Sequence, residues 1–374
     1  MRPAVLYNAG IAYHRPQFAE ALGLACALLF VPQAVSQASG PHSFESARQV
    51  SFTITHRMVI QSGASDGSYN QAPAVVENSY GEYVLSYKKG VNHVNDPYVV
   101  LRHSQDRGAT WGPETIRWNT SVPDPTLAKT PVAGDLLIEF AKHDQNGLTG
   151  AAYARSADGG NSWSDFTFFD DPVDRTYVTP TLYLIDKHKM YAAGYGPYDD
   201  TTDDAIIWAS EDDGYSWLKL STVRQPGDAG INETALAKVG SHALLAISRD
   251  DAGQRTWGHV SWDMGRTWSP QVDYTPQVGI LQLPQLLRME GVLLLFGRDP
   301  LTNELVMFVS YDNGGTFRQR TVLDTYTGLS IDGGYCWPIE RGKDEIFVVY
   351  YADSAGLRLP DIKSLIITLS KARN

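Results

Sequence analysis

Short apolar runs separated by polar turns recur along most of the chain. Examples are Leu136–Ile138, Val292–Phe296 and Ile346–Val349, each of three to five residues. Runs of this length, when they are bounded by Gly, Pro and Asp, are typical of buried β-strands rather than of helices. The pattern therefore predicts an all-β protein that is built from many short strands.

The apolar runs belong to a two-stranded hairpin that occurs six times. Five of the copies open on a proline, and their starts lie 50 to 55 residues apart. The copies begin at Pro73, Pro125, Pro180, Thr234, Pro284 and Pro338. A repeat of about 50 residues indicates a propeller or another array of similar units.

A second repeat lies between the hairpins and reads Ser-x-Asp-x-Gly-x-Ser/Thr-aromatic. Its five copies, here called the Ser-x-Asp turns, are Ser104–Trp111, Ser156–Trp163, Ser210–Trp217, Ser261–Trp268 and Ser310–Phe317. The Asp and Ser side chains of such a segment hydrogen-bond nearby backbone, and its Gly supplies a positive φ. One copy occurs by chance, but five copies at a regular spacing indicate a single domain of repeated units.

The Ser-x-Asp turns resemble the Asp-box of the sialidase superfamily, and the resemblance extends over nearly the whole chain after its N-terminal segment. It implies one six-bladed β-propeller from residue 45 to residue 374, with five Asp-boxes. The sixth hairpin has no such turn after it. Residues 49–60 are the natural donors of its outer strand, because pairing the first and last segments would close the ring and remove an open edge.

The polar residues of the hairpins predict where a ligand would bind. The start of the first strand and the end of the second lie at one end of each hairpin, opposite the Ser-x-Asp turn. Polar side chains at this end should ring one mouth of the central channel, where a ligand can reach them. The candidates that we draw from this ring are Gln71, Asp124, Tyr195, Glu233, Arg249, Arg298 and Tyr335.

Three of these residues carry a more specific resemblance. The fourth hairpin reads Asn232-Glu233-Thr234 and its second strand ends at Arg249, while the sixth hairpin contains Gly334-Tyr335. This resembles the sialidase site, in which a Glu activates a tyrosine nucleophile and an arginine holds the substrate carboxylate. The resemblance implies those roles for Glu233, Tyr335 and Arg249. A phenol with a pKa near 10 is a poor nucleophile unless a neighbouring carboxylate takes its proton.

The arginines depart from the family pattern. Gln71 stands where sialidases have the first of three arginines, and the segment Leu301–Leu305 lacks the third. Arg298 is a candidate substitute from a neighbouring position. Because a neutral amide cannot pair with a carboxylate as a guanidinium does, the sequence leaves the identity of the sugar open.

The acid/base residue has two candidates in the loop after the first hairpin. The resemblance implies Asp96, and His93 competes because histidine is suited to proton transfer near neutral pH. Two alternatives to a sialidase-type hydrolase remain. One is another carbohydrate-active propeller, either a uronic-acid lyase or a glycosidase for a different sugar, that uses His93 or Asp124. The other is a propeller that binds glycans without catalysis.

The composition of the chain limits the classes of molecule that it could bind. The formal net charge of −11 argues against nucleic acid, and no metal or phosphate-binding motif is present, so we expect no cofactor. The apolar run Ala21–Val31, followed by Ser36-Gln37-Ala38, reads as a secretory leader over residues 1–38, and no other run is long enough to span a membrane. We therefore expect an exported monomer that acts on glycans.

Overall fold

In the computed structural model, the described residues are 50–93, 98–119, 124–143, 149–169, 177–178, 181, 183–196, 203–250 and 252–371. The predicted leader and Asp96 lie outside these ranges. The described strands form six antiparallel sheets. These sheets are the blades of a six-bladed β-propeller, which confirms the predicted fold class.

The first half of the chain supplies strand β1 and three blades. Strand β1 is Val50–Gln61, and the short helix α1 is Gly63–Asp66. Blade 1 contains β2 (Tyr69–Glu77), β3 (Tyr83–Gly90), β4 (Tyr98–Ser104) and β5 (Thr115–Asn119). Blade 2 contains β6 (Thr126–Lys129), β7 (Leu136–His143), β8 (Thr149–Ser156) and β9 (Thr167–Phe168). Blade 3 contains β10 (Tyr177–Val178), β11 (Leu184–Asp186), β12 (Lys189–Gly196), β13 (Asp204–Ser210) and β14 (Leu218–Thr222).

The second half supplies the other blades. Blade 4 contains β15 (Ile231–Lys238), β16 (Leu244–Asp250), β17 (Thr256–Ser261) and β18 (Val272–Asp273), followed by helix α2 (Thr275–Val278). Blade 5 contains β19 (Gln282–Met289), β20 (Val292–Asp299), β21 (Glu304–Ser310) and β22 (Arg318–Thr325), and a 3-10 turn (Ser330–Asp332) follows it. Blade 6 contains β23 (Gly333–Glu340), β24 (Glu345–Ala352), β25 (Asp361–Lys371) and β1. None of the described helices has the length and apolarity to cross a membrane.

The ring is closed by the two ends of the described chain. Strand β1 pairs antiparallel with β25 from Val50 opposite Lys371 to Gln61 opposite Ile362. Strand β1 thus supplies the fourth strand of blade 6, as predicted for residues 49–60. This pairing satisfies the outer backbone edge of β25, which would otherwise be open to other strands.

Apolar side chains join each blade to its neighbours. Val75 and Leu85 of blade 1 are fully buried and belong to the same apolar cluster as Phe347 and Val349 of blade 6. The first strands of neighbouring blades also contact one another, as β15 does with β19 and β2 does with β23. The strand interiors therefore form the core, and polar side chains remain at the strand ends.

The five Ser-x-Asp turns each link the third strand of a blade to its fourth. In the blade 2 copy, Asp158 accepts hydrogen bonds from the Ser156 hydroxyl at 2.8 Å and from the Ser162 amide and hydroxyl at 2.8 and 2.6 Å. The Gly160 amide donates to the Ser156 hydroxyl at 2.8 Å, with a φ of 99° that favours glycine. Local hydrogen bonds of this kind explain why the motif recurs with so little variation.

Candidate active site

Among the described residues, four blades carry an extra residue near the mouth end of the first strand. In blade 1, Gln71 pairs with Lys88 and Ala74 pairs with Ser86, so three steps along β2 match two along β3. This irregularity is a β-bulge, which bends the strand and redirects its side chains. The bulged residues are Ala72-Pro73, Asn232-Glu233, Leu283-Pro284 and Gly334-Tyr335.

The bulges correct one alignment that the sequence suggested. Matching the hairpins by their prolines aligned Pro338 with Pro73, but Pro338 pairs with Val348 in the middle of a strand. Tyr335 is the residue that occupies the position of Pro73 and Pro284 in the bulge, and Glu233 occupies the same position in blade 4. Equivalent backbone positions in blades 4 and 6 thus present a carboxylate and a phenol.

Glu233 and Tyr335 form a hydrogen-bonded pair across two blades. The Tyr335 hydroxyl donates to Glu233 Oε1 at 2.5 Å. The other oxygen, Oε2, accepts from the backbone amide of Leu283, in the bulge of blade 5, at 2.9 Å. Glu233 and Tyr335 are each only 7% exposed, so this contact lies within the wall of the mouth rather than in bulk water.

Arg249 donates hydrogen bonds to both members of this pair. Its Nη1 donates to Glu233 Oε1 at 3.2 Å and to the Tyr335 hydroxyl at 3.5 Å. Arg249 lies on β16 opposite the bulge of β15, between the paired residues Ser248 and Asp250. Its Nε is buried without a hydrogen-bond partner, whereas about a quarter of its side chain, 24%, is exposed. Arg249 is therefore bonded to Glu233 while part of its side chain stays exposed at the mouth.

Arg298 lies behind the phenol. Its guanidinium carbon lies 4.1 Å from the centre of the Tyr335 ring, a cation–π contact. Its nitrogens donate to the Gln282 side chain at 2.5 and 2.9 Å, to the Gly333 carbonyl at 3.2 Å and to the Tyr351 hydroxyl at 3.4 Å. Arg298 is 3% exposed. The structure thus places Arg298 as a support of Tyr335, with its donors occupied by protein groups.

Gly334 makes room for this support. Its φ is 86°, and a Cβ at this position would lie 2.7 Å from Arg298 Cγ. Any other residue would strain the backbone and push against the side chain that packs on Tyr335. The sequence showed the Gly333-Gly334 pair, and glycines inside a strand signal a bulge or a close approach of this kind.

Electrostatics favour an ionised Glu233 beside a neutral Tyr335. Burial opposes ionisation of Glu233, but the charge of Arg249 and the hydrogen bond from Tyr335 hold its pKa below the ordinary value. Burial and the charge of Glu233 raise the pKa of Tyr335, against the opposing effect of Arg298 and Arg249. In the free protein the carboxylate is therefore ionised and accepts a hydrogen bond from a phenol that keeps its proton.

Asp124 and His93 lie on another part of the mouth. Removal from water raises the pKa of Asp124, and the charge of Glu233 adds to that rise, while Lys88 and a protonated His93 oppose it. Burial lowers the pKa of His93, whose Nδ1 is buried without a hydrogen-bond partner. A carboxyl group with a raised pKa and an imidazole with a lowered pKa are both suited to proton transfer.

The remaining predicted residues join the same network. Gln71 is buried, and its side-chain amide donates to the His93 carbonyl at 2.9 Å, so it shapes the loop that carries His93. Tyr195 interacts electrostatically with Glu233 and Asp124. The described chain therefore brings together Gln71, His93, Asp124, Tyr195, Glu233, Arg249, Arg298 and Tyr335.

Sequence reasoning missed some of the groups that hold this site. The Leu283 amide gives no sequence signal, because its role depends on the bulge of the next blade. Among the described residues, no group of three or more His, Cys, Asp or Glu side chains is arranged to hold a metal ion.

Solved structures with the same fold include several glycan-processing enzymes. A protein of unknown function from Dyadobacter fermentans aligns with a TM-score of 0.72 at 19% identity, over 85% of this chain and 99% of its own. The Hadza microbial sialidase Hz136 aligns with a TM-score of 0.67 at 18% identity, over 84% and 68%. An α-L-arabinanase of Penicillium chrysogenum, solved with arabinobiose, aligns with a TM-score of 0.60 at 15% identity, over 84% and 98%.

No protein-family model matches the chain, and no curated protein matches it by sequence. The protein is a six-bladed β-propeller whose fold is similar to that of the sialidases. At these identities the likeness shows the fold, and the function has to be argued from the mouth.

Proposed function

We propose that this protein is an exported glycoside hydrolase that removes terminal acidic sugars from glycans, with Tyr335 as nucleophile, Glu233 as its base and Arg249 as the anchor for the acidic group. The observation that carries the proposal is the 2.5 Å hydrogen bond from Tyr335 to the ionised Glu233. Export rests on the leader predicted for residues 1–38.

The reaction follows the retaining course in two steps. In the first, the Tyr335 oxygen bonds to the anomeric carbon, its proton passes to Glu233, and the departing glycosidic oxygen takes a proton from an acid. In the second, water bonds to the anomeric carbon and gives its proton to the conjugate base of that acid. The Tyr335 oxygen leaves and recovers its proton from Glu233. Tyrosine nucleophiles are an established exception to the use of two carboxylates by glycosidases.

Recognition of an acidic sugar is supported by Arg249. Its guanidinium lies beside the nucleophilic oxygen, and about a quarter of the Arg249 side chain, 24%, is exposed. A carboxylate next to the anomeric carbon would meet this guanidinium. A phenol that is neutral until it reacts also avoids the repulsion that an anionic nucleophile would suffer from such a substrate.

For the acid/base, Asp124 joins Asp96 as a candidate. A carboxyl group that acts first as an acid needs a raised pKa, and burial gives Asp124 that property. Asp96 lies outside the described residues and remains the candidate implied by the family resemblance.

A panel of aryl glycosides tests the proposal. We expect release of the aryl group from at least one acidic sugar, with sialic acid and the uronic acids tested first and an α-L-arabinofuranoside as the neutral comparison. Arg249→Ala should weaken kcat/KM for the acidic sugar by about 10²-fold, because it removes a charge-assisted contact. A panel with no turnover, or turnover of neutral sugars only, would remove the proposal.

One observation favours a second candidate, a uronic-acid lyase. Burial lowers the pKa of His93, which favours the neutral imidazole that a base for β-elimination requires. In that reaction Arg249 would neutralise the uronate and His93 would remove the proton next to the carboxylate. An unsaturated product that absorbs in the ultraviolet, formed from uronic-acid polysaccharides, would identify the lyase.

A further inference from the structure

A cavity of about 560 Å³ lies between blades 3 and 4. Its walls include the turn between β11 and β12 and the Ser-x-Asp turn of blade 4. Both segments belong to the face opposite the mouth, because first strands begin at the mouth and end at this face. The cavity is therefore separate from the proposed catalytic site.

The cavity has a surplus of positive charge. Its lining holds the cations Lys187, Lys189, Lys238 and Arg266 and the carboxylates Asp186, Glu211 and Asp263. All three carboxylates are engaged. Asp186 accepts from Lys238 at 2.6 Å, Glu211 pairs with Lys189, and Asp263 accepts from the amide and hydroxyl of Thr267 at 2.8 and 2.7 Å. Within the described chain, Lys187 and Arg266 make no ion pair and no hydrogen bond through their side chains.

An exposed tryptophan borders the same cavity. Trp262 is 55% exposed, although it belongs to the Ser-x-Asp turn of blade 4. The aromatic residue that packs this turn is Trp268, which is 7% exposed. The other four turns have Gln105, Ala157, Glu211 and Tyr311 at the position of Trp262. The turn therefore does not require an indole at this position, and the ring is available to a ligand.

We propose that this cavity is a second glycan site that binds an acidic oligosaccharide. The Trp262 ring stacks on the apolar face of a sugar, and Lys187 and Arg266 contact its carboxylate or sulfate groups. An aromatic surface beside unpaired cations, in a concave site, matches the chemistry of an acidic sugar, which has both an apolar ring face and an anionic edge. Such a site would hold the protein on a polymeric glycan while the mouth acts on chain ends.

A glycan fits this surface better than a nucleic acid does. The chain carries a net charge of −11, and duplex DNA carries one phosphate charge per roughly 1.7 Å of its axis, so a long nucleic acid would be repelled beyond the cavity. An acidic polysaccharide carries its charges more sparsely. The cavity also offers one exposed indole rather than a series of stacking rings.

Affinity electrophoresis in native gels tests the proposal. The gels contain polygalacturonate, chondroitin sulfate or neutral dextran. We expect the wild-type protein to be retarded by at least one of the two acidic polymers and not by dextran. Trp262→Ala should weaken the apparent affinity by about tenfold, as loss of an aromatic anchor does.

A second variant tests the charge without a risk to the fold. Lys187 has a φ of 61°, a conformation that asparagine tolerates better than lysine does. Lys187→Asn should therefore fold at least as well as the wild type and bind about threefold more weakly. The matched control is Tyr80→Ala, which removes an exposed aromatic residue (69% exposed) from the same face of blade 1 and should change nothing.

Each other outcome overturns the proposal. Absence of retardation by both acidic polymers would do so. Retardation that survives Trp262→Ala and Lys187→Asn but is lost in Arg249→Ala would assign all binding to the mouth. Stronger Trp262-dependent binding of a single-stranded oligonucleotide would assign the cavity to nucleic acid. Hydrolysis of a small aryl glycoside by Trp262→Ala should equal that of the wild type, which separates this site from the proposed catalytic function.

Discussion

Two aspartates on opposite faces of the propeller have pKa values that are shifted in opposite directions. Asp158, in a Ser-x-Asp turn, accepts local hydrogen bonds that lower its pKa to about 2. Asp124, at the mouth, is removed from water, and its pKa is raised above the ordinary 3.8. The same side chain is thus held ionised for structure on one face and shifted towards its protonated form on the other.

This contrast separates the repeated chemistry of the chain from the chemistry that occurs once. The Ser-x-Asp turns recur in five blades with nearly the same hydrogen bonds. All five therefore have the same structural role, and none has a pattern of its own. At the mouth the backbone repeats as a bulge, but the side chains differ. Pro73 and Pro284 fill the bulge position in blades 1 and 5, whereas Glu233 and Tyr335 fill it in blades 4 and 6. Function is therefore expected where the repeat is broken.

The largest expected effect comes from the mouth. Tyr335→Phe removes the oxygen that we propose as the nucleophile and should lower kcat on the order of 10³-fold or more. It keeps the ring that packs on Arg298, so the free energy of unfolding should change by no more than about 2 kcal/mol. Turnover and thermal unfolding of the same preparation check both points. Residual activity within tenfold of the wild type would contradict the role of Tyr335.

A somewhat smaller effect distinguishes the two acid candidates. If Asp124 protonates the leaving group, Asp124→Asn should lower kcat/KM for poor leaving groups by about 10²-fold and spare kcat/KM for activated aryl leaving groups, because kcat/KM reports the first step. In the wild type, kcat/KM should fall at low pH as Glu233, whose pKa is lowered, becomes protonated. It should fall again as the pH rises through the raised pKa of Asp124.

The matched control for Asp124 is Asp96→Asn. The leaving-group dependence should appear in one of the two variants. Its appearance in Asp96→Asn alone would return the acid role to Asp96 and leave Asp124 as a binding residue.

Substitution of Gly334 should lower both the activity and the stability of the protein. Gly334→Ala places a Cβ against Arg298 and strains a backbone with a φ of 86°, so Tyr335 should shift. We expect a loss in kcat of about 10²-fold and a destabilisation of about 1–3 kcal/mol. Gly356→Ala is the control, because it has a similar positive φ of 71° but no close neighbour other than Thr327, at 3.6 Å. Equal losses of activity in both variants would show that backbone strain alone is responsible.

The smallest expected effect comes from a substitution on the face opposite the mouth. Asp158→Asn weakens the bonds of one turn and should destabilise the protein by about 1 kcal/mol at neutral pH, with kcat unchanged. Because the folded pKa is depressed, this contribution is complete above the ordinary value of 3.8 and is lost as the pH falls through about 2. Unfolding of wild type and variant should therefore converge in acid. A gap that stays constant with pH would contradict the assignment.

The sequence predicted the repeated part of the molecule and the identity of the central pair. Hairpins and Ser-x-Asp turns of nearly constant spacing predicted six blades, and the missing sixth turn predicted that β1 closes the ring. The position of Glu233 and Tyr335 at strand starts predicted a shared mouth. These features are local or periodic, so a single sequence can carry them.

The sequence could not predict features that depend on contacts between blades. Arg298 was expected at the substrate, but it packs behind Tyr335, because the Gly334 bulge opens that space. The bulge register also placed Tyr335, and not Pro338, in line with Pro73. A one-residue bulge leaves little trace in sequence, yet it decides which side chain enters the mouth.

The central claim is that Tyr335 becomes covalently bonded to the sugar. The most direct measurement uses the sugar identified by the glycoside panel, in a fluorinated form whose glycosyl-enzyme intermediate breaks down slowly. Mass spectrometry of the digested protein should find one sugar per chain, attached at Tyr335, and no adduct in Tyr335→Phe. A sugar attached to another residue, or rapid turnover of the parent glycoside with inversion and no adduct, would contradict the account.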